Sequence, residues 1–207
     1  SEAPNYQNFM DKDLLNINLK VESNWRRAYE TINILNGILN NISNVSDNTL
    51  RNRIEGEALA IRGMLYFELV RFWAPQYRTS TLNASAVPIF LTQTTDVSEL
   101  ETPTLSTVDE VYTQATDDLE AAELILDQVN FDPTRVNVDV CKAILSRIAL
   151  QKNDFNTALG YLNQLVPKYT LNNEVMDAFN NTSITTEDIF VIQQNTESKS
   201  GNIATRT

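Results

Sequence analysis

The sequence predicts an all-α fold of paired antiparallel helices of the tetratricopeptide-like type, with one long loop insertion and at most one or two short strands. Three observations lead to this prediction. Five segments carry apolar residues at every third or fourth position, which is the spacing of one helical face. A proline-containing stretch, residues 74–106, separates the second segment from the third. Only two short runs, residues 87–91 and 188–192, have the composition of a strand.

The length of the chain sets the expected number of domains. Its 207 residues, 42% of them hydrophobic, suit one domain with a full-sized core, so we expect a single helical domain over residues 1–207. Residues 1–23 carry scattered apolar positions without a sustained period. They are expected to form an extended or partly helical lead-in.

The first two helices are predicted over residues 24–42 and 47–73. Their apolar stripes are Trp25, Ala28, Tyr29, Ile32, Leu35, Leu39 and Ile42 in the first, and Leu50, Ile54, Ala58, Ile61, Leu65, Leu69 and Phe72 in the second. A polar run joins the two helices. Within it, either Ser46 or Asp47 could accept the free amides at the start of the second helix.

Two glycines lie inside the second helix. Gly56 and Gly63 each cost about 1 kcal/mol relative to alanine at such positions. Their presence indicates that another helix packs closely against this one.

The long loop covers residues 74–106 and contains three prolines. Loops of more than about 12–15 residues in a compact domain usually carry function or are disordered, so this loop marks a surface of interest. Its one apolar run, Val87–Leu91, could pair as a strand.

Three more helices are predicted over residues 107–129, 138–152 and 154–166. The first opens with a capping box, Thr107-x-x-Glu110, and Asp154 is placed to cap the last. The segment from Asn153 to Leu162 has the look of the second helix of a tetratricopeptide unit. Residues 188–192 follow as a short predicted strand.

Charge and composition exclude several function classes. With 16 Lys+Arg against 27 Asp+Glu, the net charge is -11, so nucleic acid is not expected as a partner. Histidine is absent and Cys141 is the only cysteine, which excludes Ser-His-Asp and Cys-His catalysis and His or Cys zinc sites. The five glycines form no phosphate-binding loop. We therefore expect no metal, no cofactor and no catalytic residue, with Cys141 as a packing residue.

Pairs of carboxylates offer the remaining route to catalysis, because glycoside hydrolysis needs only two acids in a cleft. Candidate pairs are Glu55/Glu57, Asp117/Asp118 and Glu120/Glu123. All lie on helical stretches, so we expect them on solvated faces. A hydrolase would instead require two close acids in a cleft, one with a strongly raised pKa.

Trp73 and Tyr77 are the candidate ligand-binding residues. They flank Pro75 at the start of the long loop, where an aromatic face could stack on a sugar ring. The alternative is that both rings cover the helical core, which is the commoner fate of aromatic side chains.

Six blocks of residues, in order, resemble the helical part of the SusD/RagB family of outer-membrane lipoproteins. The blocks are Trp25-x-x-x-Tyr29-x-x-Ile32-x-x-x-Asn36; Glu57-Ala58-x-x-x-Arg62-x-x-x-Tyr66-Phe67-x-Leu69-Val70; Val87-Pro88; Thr107-x-x-Glu110-Val111-Tyr112 with Asp118-Leu119-x-x-Ala122; Cys141-Lys142-Ala143-x-Leu145-x-Arg147-x-x-Leu150 with Asn153-Asp154-Phe155-x-x-Ala158; and Glu187-Asp188-Ile189-Phe190-x-Ile192. Together they cover residues of about 24 to 192.

The resemblance implies a non-catalytic, surface-exposed protein of the cell outer membrane that captures glycans or other nutrients. It implies a SusC-type TonB-dependent transporter as the partner. Membrane association is implied only through a lipid anchor, and the cysteine to which the family attaches that lipid is absent from these 207 residues. None of the sugar-contacting residues of the family carries over. The alternative function is that of a tetratricopeptide-like interaction scaffold without a small-molecule site.

Overall fold

Helices dominate the structure, a computed structural model that describes residues 11, 18–96, 103–174 and 184–192. The five α-helices within these residues are α1 (Leu19–Asn40), α2 (Asn48–Trp73), α3 (Val108–Leu126), α4 (Val138–Gln151) and α5 (Phe155–Leu165). The same residues also form three single 3-10 turns, Ile42–Asn44, Thr79–Thr81 and Val166–Lys168. The described part of the chain holds no strand, only an isolated bridge between Ser85 and Thr107. The predicted all-α fold is confirmed.

Consecutive helices pack against one another along the chain. The most extensive interface joins α2 to α3, and the next joins α4 to α5. The core between them includes Tyr66 and Phe67 of α2, Leu119 of α3 and Cys141 of α4, all buried. This arrangement is that of stacked helical hairpins.

The two glycines of α2 lie where α3 crosses it. A Cβ added to Gly63 would lie 2.9 Å from the Ala115 carbonyl oxygen and 2.9 Å from Leu119 Cγ. One added to Gly56 would lie 2.6 Å from Leu126 Cγ. The close helix approach expected at both glycines is confirmed.

Side-chain caps fix where the helices begin. Asp47, and not Ser46, caps α2 by accepting the Leu50 amide at 2.8 Å. Thr107 and Glu110 form the predicted capping box of α3. α1 begins at Leu19, five residues before the predicted start of the first helix, because Asn18 accepts the Lys20 amide at 2.9 Å. Residues 1–10 and 12–17 of the predicted lead-in lie outside the described residues. The other helix boundaries lie within three residues of those predicted.

The predicted strand at 188–192 is absent, although these residues are described. Their backbone makes isolated hydrogen bonds to the turn before α4. The Val191 amide donates to the Pro133 carbonyl at 2.8 Å, and the Asn137 side chain donates to the Ile189 carbonyl at 3.0 Å. Strand composition without a partner strand does not make a sheet.

A buried ion pair joins α2 to α3. The Arg62 guanidinium donates from Nε and Nη2 to the two oxygens of Asp118, each at 2.7 Å. Arg62 is 7% exposed and Asp118 is 3% exposed. The expectation that the pair Asp117/Asp118 lies on a solvated face is therefore wrong for Asp118. Its side chain points at the one arginine on the facing stripe of α2.

No helix in the described ranges has the length and apolar content needed to cross a membrane.

Candidate functional site

A cavity of about 710 Å³ opens between α1 and the part of the long loop that runs alongside it. Trp25 and Tyr29 of α1 and Pro88 and Phe90 of the loop line it. We call the surface formed by these four residues the aromatic groove. Its volume falls within the range of about 300–1,000 Å³ typical of small-molecule sites.

One side of the groove is a single face of α1. Glu22, Trp25, Tyr29 and Asn33 follow one another at intervals of three or four residues, so α1 presents them on a single face. All four line the cavity. The same face therefore carries aromatic rings in its middle and polar groups at its two ends.

Side chains of the helices, rather than a neighbouring strand, hold the opposite side of the groove. The Asn36 amide donates to the carbonyls of Phe90 at 2.9 Å and Thr92 at 3.1 Å. Asn33 both donates to the Thr94 carbonyl at 3.1 Å and accepts its amide at 2.7 Å. The carbonyls of Phe90, Thr92 and Thr94 and the Thr94 amide are thus satisfied without a sheet.

Tyr66 completes this support from α2. Its hydroxyl donates to the Phe90 carbonyl at 2.8 Å and accepts the Phe90 amide at 2.8 Å. Burial raises the pKa of Tyr66 to about 12. The phenol therefore keeps its proton at neutral pH and can make both bonds.

The rings of the groove are in contact, with Trp25 tilted by 52° against Tyr29 and Phe90 edge to face with Tyr29 at 84°. The ring centroids of Trp25 and Tyr29 lie 4.9 Å apart, and those of Tyr29 and Phe90 lie 5.8 Å apart. The Tyr29 hydroxyl donates to the Pro88 carbonyl at 2.8 Å, and burial raises its pKa. Since this hydroxyl is already engaged, the groove offers ring surface to a ligand rather than a phenol group.

Charged side chains surround the rings. Glu22, Arg26 and Glu30 line the cavity and are exposed. Arg26 Nη1 lies 3.5 Å from Glu30 Oε1, so the one guanidinium at this rim is partly neutralised by a carboxylate. The rim therefore provides hydrogen-bonding groups with a slight excess of negative charge.

Trp73, one of the two predicted candidates, is half-buried and packs against the Trp25 ring of the groove. Its ring centroid lies 5.4 Å from that of Trp25, in an edge contact. It does not itself line the cavity. The structure thus links Trp73 to the site through another ring.

Tyr77, the other candidate, packs on α3 instead. Its ring centroid lies 4.7 Å from that of Tyr112, and its hydroxyl donates to Asp109 Oδ1 at 3.0 Å. Lys152 Nζ lies 5.6 Å from its ring centroid. The structure does not bring Tyr77 and Trp73 together, although only three residues separate them in sequence.

Trp25 and Tyr29 belong to the predicted apolar stripe of the first helix, and in the structure they are half-buried residues of the groove. One sequence signal could have indicated this. Glu22, Arg26, Glu30 and Asn33 flank the two rings along α1, which is the pattern of a stripe at the edge of a core rather than at its centre.

The thiol of Cys141 and the carboxylate of Glu123 lie away from the groove. Burial raises the pKa of Cys141 to about 12, so its thiol stays protonated. Burial also raises the pKa of Glu123, whose carboxylate lies 3.8 Å from Lys142 Nζ. No group of three or more potential metal ligands occurs among the residues described.

The structure is therefore a stack of helices with a ring-lined groove along one edge. Residues 3–150 match the family model SusD-like_3, whose description reads "Starch-binding associating with outer membrane". The chain belongs to this family, and the resemblance seen in the sequence is confirmed. No curated protein matches the sequence.

Solved structures of similar proteins share the fold. A SusD-like carbohydrate binding protein from Bacteroides vulgatus is 32% identical, with a TM-score of 0.64 over 72% of this chain and 32% of that one. A SusD superfamily protein from Bacteroides fragilis shares the fold at 22% identity, with a TM-score of 0.78 over 91% of this chain and 44% of that one. A laminarin-binding SusD-like protein shares it at 24% identity, with a TM-score of 0.61 over 76% and 35% of the two chains. This chain thus spans less than half the length of each.

Proposed function

We propose that this chain is the non-catalytic, glycan-binding component of a nutrient-uptake system at the outer surface of the outer membrane. It passes its ligand to a SusC-type TonB-dependent transporter and is held at the membrane by a lipid anchor. The family description supports the membrane location and the carbohydrate ligand. The transporter partner and the anchor follow from the resemblance to SusD/RagB proteins.

The aromatic groove is the observation that carries the proposal. A pyranose ring has an apolar face of C–H groups and a periphery of hydroxyls. The rings of Trp25 and Tyr29 suit the apolar face, and the exposed polar groups of Glu22 and Arg26 at the rim can bond to the hydroxyls. The site therefore matches a sugar in both chemistry and size.

The arrangement of the carboxylates supports a binding role without hydrolysis. Glycosidases place two carboxyl groups across the scissile bond, one of them with a raised pKa. Glu123 has a raised pKa but is paired with Lys142 and does not line the groove. Glu22 and Glu30 line it as exposed groups at its rim.

A second candidate function is protein interaction through α5. This helix exposes a row of large apolar side chains, Phe155, Leu159, Leu162 and Val166, with the last just beyond its end. Their spacing of three or four residues gives one continuous apolar face. Such a face suits a helical partner, as in tetratricopeptide arrays.

Calorimetric titration of the natural protein separates these functions. Starch and laminarin oligosaccharides are the test ligands, and unrelated peptides are the comparison. We expect the oligosaccharides to bind, and Trp25→Ala or Phe90→Ala to weaken binding at least tenfold. Leu124→Ala, at a residue that is 75% exposed and outside the groove, is the matched control and should bind as the wild type does.

Binding of peptides but of no glycan would overturn the carbohydrate part of the proposal. Circular dichroism of each variant shows whether it is folded. Because two different rings of the groove are replaced separately, an unfolded Trp25→Ala protein still leaves Phe90→Ala as the test. Co-purification of a TonB-dependent transporter with the tagged protein from outer membranes tests the partnership.

A further inference from the structure

Phe72 places an exposed ring at the end of α2, next to the groove. It is 71% exposed, although phenylalanine is usually buried. A single exposed apolar residue needs no explanation. Phe72 differs because its ring is held from two directions and is connected to the groove.

Two neighbours hold the ring of Phe72. The Trp73 centroid lies 5.9 Å from it at an interplanar angle of 72°, and the Arg71 guanidinium lies 5.8 Å from it. Arg71 is itself fixed by Glu68, whose two carboxylate oxygens accept from Nη1 at 2.8 Å each. Immobilising an exposed ring before a ligand arrives lowers the entropy cost of stacking on it.

A continuous row of rings connects Phe72 to the groove. The ring centroid of Trp73 lies 5.9 Å from that of Phe72 and 5.4 Å from that of Trp25. The centroids of Trp25 and Tyr29 lie 4.9 Å apart. Phe90 ends the row, 5.8 Å beyond Tyr29. The row begins at an exposed ring and ends inside the cavity. A ligand longer than the cavity could follow it outward.

We infer that Phe72 is an outer subsite that stacks on a sugar unit of a glycan chain whose first units occupy the aromatic groove. This inference rests on the proposed glycan-binding function and extends it. The protein then recognises oligosaccharides by length, with Trp73 positioning the outer ring against the inner ones. Trp73 then contributes to binding by positioning the ring of Phe72, although it does not line the cavity.

The test compares short and long ligands on the natural protein. Maltose and maltoheptaose form one pair of probes, and laminaribiose and laminariheptaose form the other. We expect Phe72→Ala to weaken binding of the heptasaccharide about two- to tenfold, the loss expected for one aromatic stacking contact. Binding of the disaccharide should not change. Phe72→Trp should restore the heptasaccharide affinity and Phe72→Leu should not, while Leu124→Ala leaves both ligands unaffected.

Each outcome has one meaning. If the wild type binds a heptasaccharide but Phe72→Ala leaves that affinity unchanged, the outer subsite is refuted and the groove stands. An equal loss for disaccharide and heptasaccharide also refutes it, because Phe72 would then act on the groove itself. If the wild type binds none of the four probes, the proposed function fails and the subsite fails with it.

Discussion

Removing the carboxylate of Asp118 should destabilise the protein more than any change of a surface acid. In the folded chain the Arg62 guanidinium has three partners: two oxygens of Asp118 at 2.7 Å and Asn36 Oδ1 at 2.8 Å. Asp118 also accepts from Gln114 Nε2 at 2.9 Å. Asp118→Ala leaves a cation that is 7% exposed with only a neutral amide as its partner.

The size of the effect follows from desolvation. A buried pair that loses one member costs about 3–5 kcal/mol, because the remaining charge is uncompensated. The pair itself contributes much less, since both charges lost their hydration on folding. Replacing both members, as in Arg62→Met with Asp118→Leu, should therefore cost far less than Asp118→Ala alone, and can even stabilise.

Urea unfolding followed by circular dichroism at 222 nm measures these differences. Asp117→Ala is the matched control, because Asp117 is the exposed neighbour on the same helix. Its cost should stay within about 0.5 kcal/mol, as for ordinary surface positions. A free energy of unfolding for Asp118→Ala within 1 kcal/mol of the Asp117→Ala value, where 3–5 is expected, would refute the argument. So would a double variant less stable than Asp118→Ala.

Three further outcomes are expected. Gly63→Ala should lower the free energy of unfolding by about 1–3 kcal/mol through overpacking. Gly160→Ala, with nothing within 4 Å of the added carbon, should raise it by about 0.5–1 kcal/mol. Urea unfolding measures both changes, and a change of the same sign in the two variants would contradict the close packing at Gly63. Because the pKa of Tyr66 is about 12 when folded and about 10 when unfolded, the unfolded chain loses this proton first and stability falls between pH 10 and 12. Tyr66→Phe should lower stability at pH 7 by about 1–3 kcal/mol, since it leaves the Phe90 amide unpaired, and should reduce that alkaline loss in the same unfolding assay. Cys141 should resist a thiol reagent in the folded protein and react in urea, and rapid labelling when folded would contradict its burial.

The helices were predictable because local chemistry decides them. A sustained period of three to four marks a helix, and Thr107 and Asp154 carry cap chemistry that acts within three residues. The glycines of α2 were informative for the same reason. Each lowers the stability of the helix relative to alanine, so its presence indicates a compensating contact with another helix. Each of these signals lies within one segment of chain.

The failures share a dependence on a distant segment. Strand composition at 188–192 could not reveal that no partner strand exists. The burial of Asp118 depends on Arg62, 56 residues away in sequence. A signal was present, since Arg62 lies at helical spacing from Ala58 and Tyr66, and Asp118 lies at helical spacing from Ala115 and Ala122, all four of which are buried. The signal could be used only by comparing the apolar faces of the two helices with each other.

The site was missed because periodicity tells which face of a helix is apolar, not what covers it. Trp25 and Tyr29 lie on the predicted stripe of α1, yet the segment facing them is an extended loop, which contributes Pro88 and Phe90, rather than a helix. The Phe90 ring meets Tyr29 edge to face, and the cavity lies between this loop and α1. The asparagines that hold the loop, Asn33 and Asn36, are visible in the sequence of α1. Their partners are backbone carbonyls, which every residue has, so the sequence does not show which residues they bind.

Asn36 connects the buried ion pair to the wall of the groove. Its Oδ1 accepts from Arg62, and this bond fixes the amide so that Nδ2 points at the carbonyls of Phe90 and Thr92. If the amide were reversed, its NH₂ group would face the guanidinium, and two loop carbonyls would face an oxygen. The charge buried between α2 and α3 thereby sets the orientation of the side chain that holds the groove open. A costly polar network in an otherwise apolar core thus has a role at the site, because it selects one position for a loop that no sheet constrains.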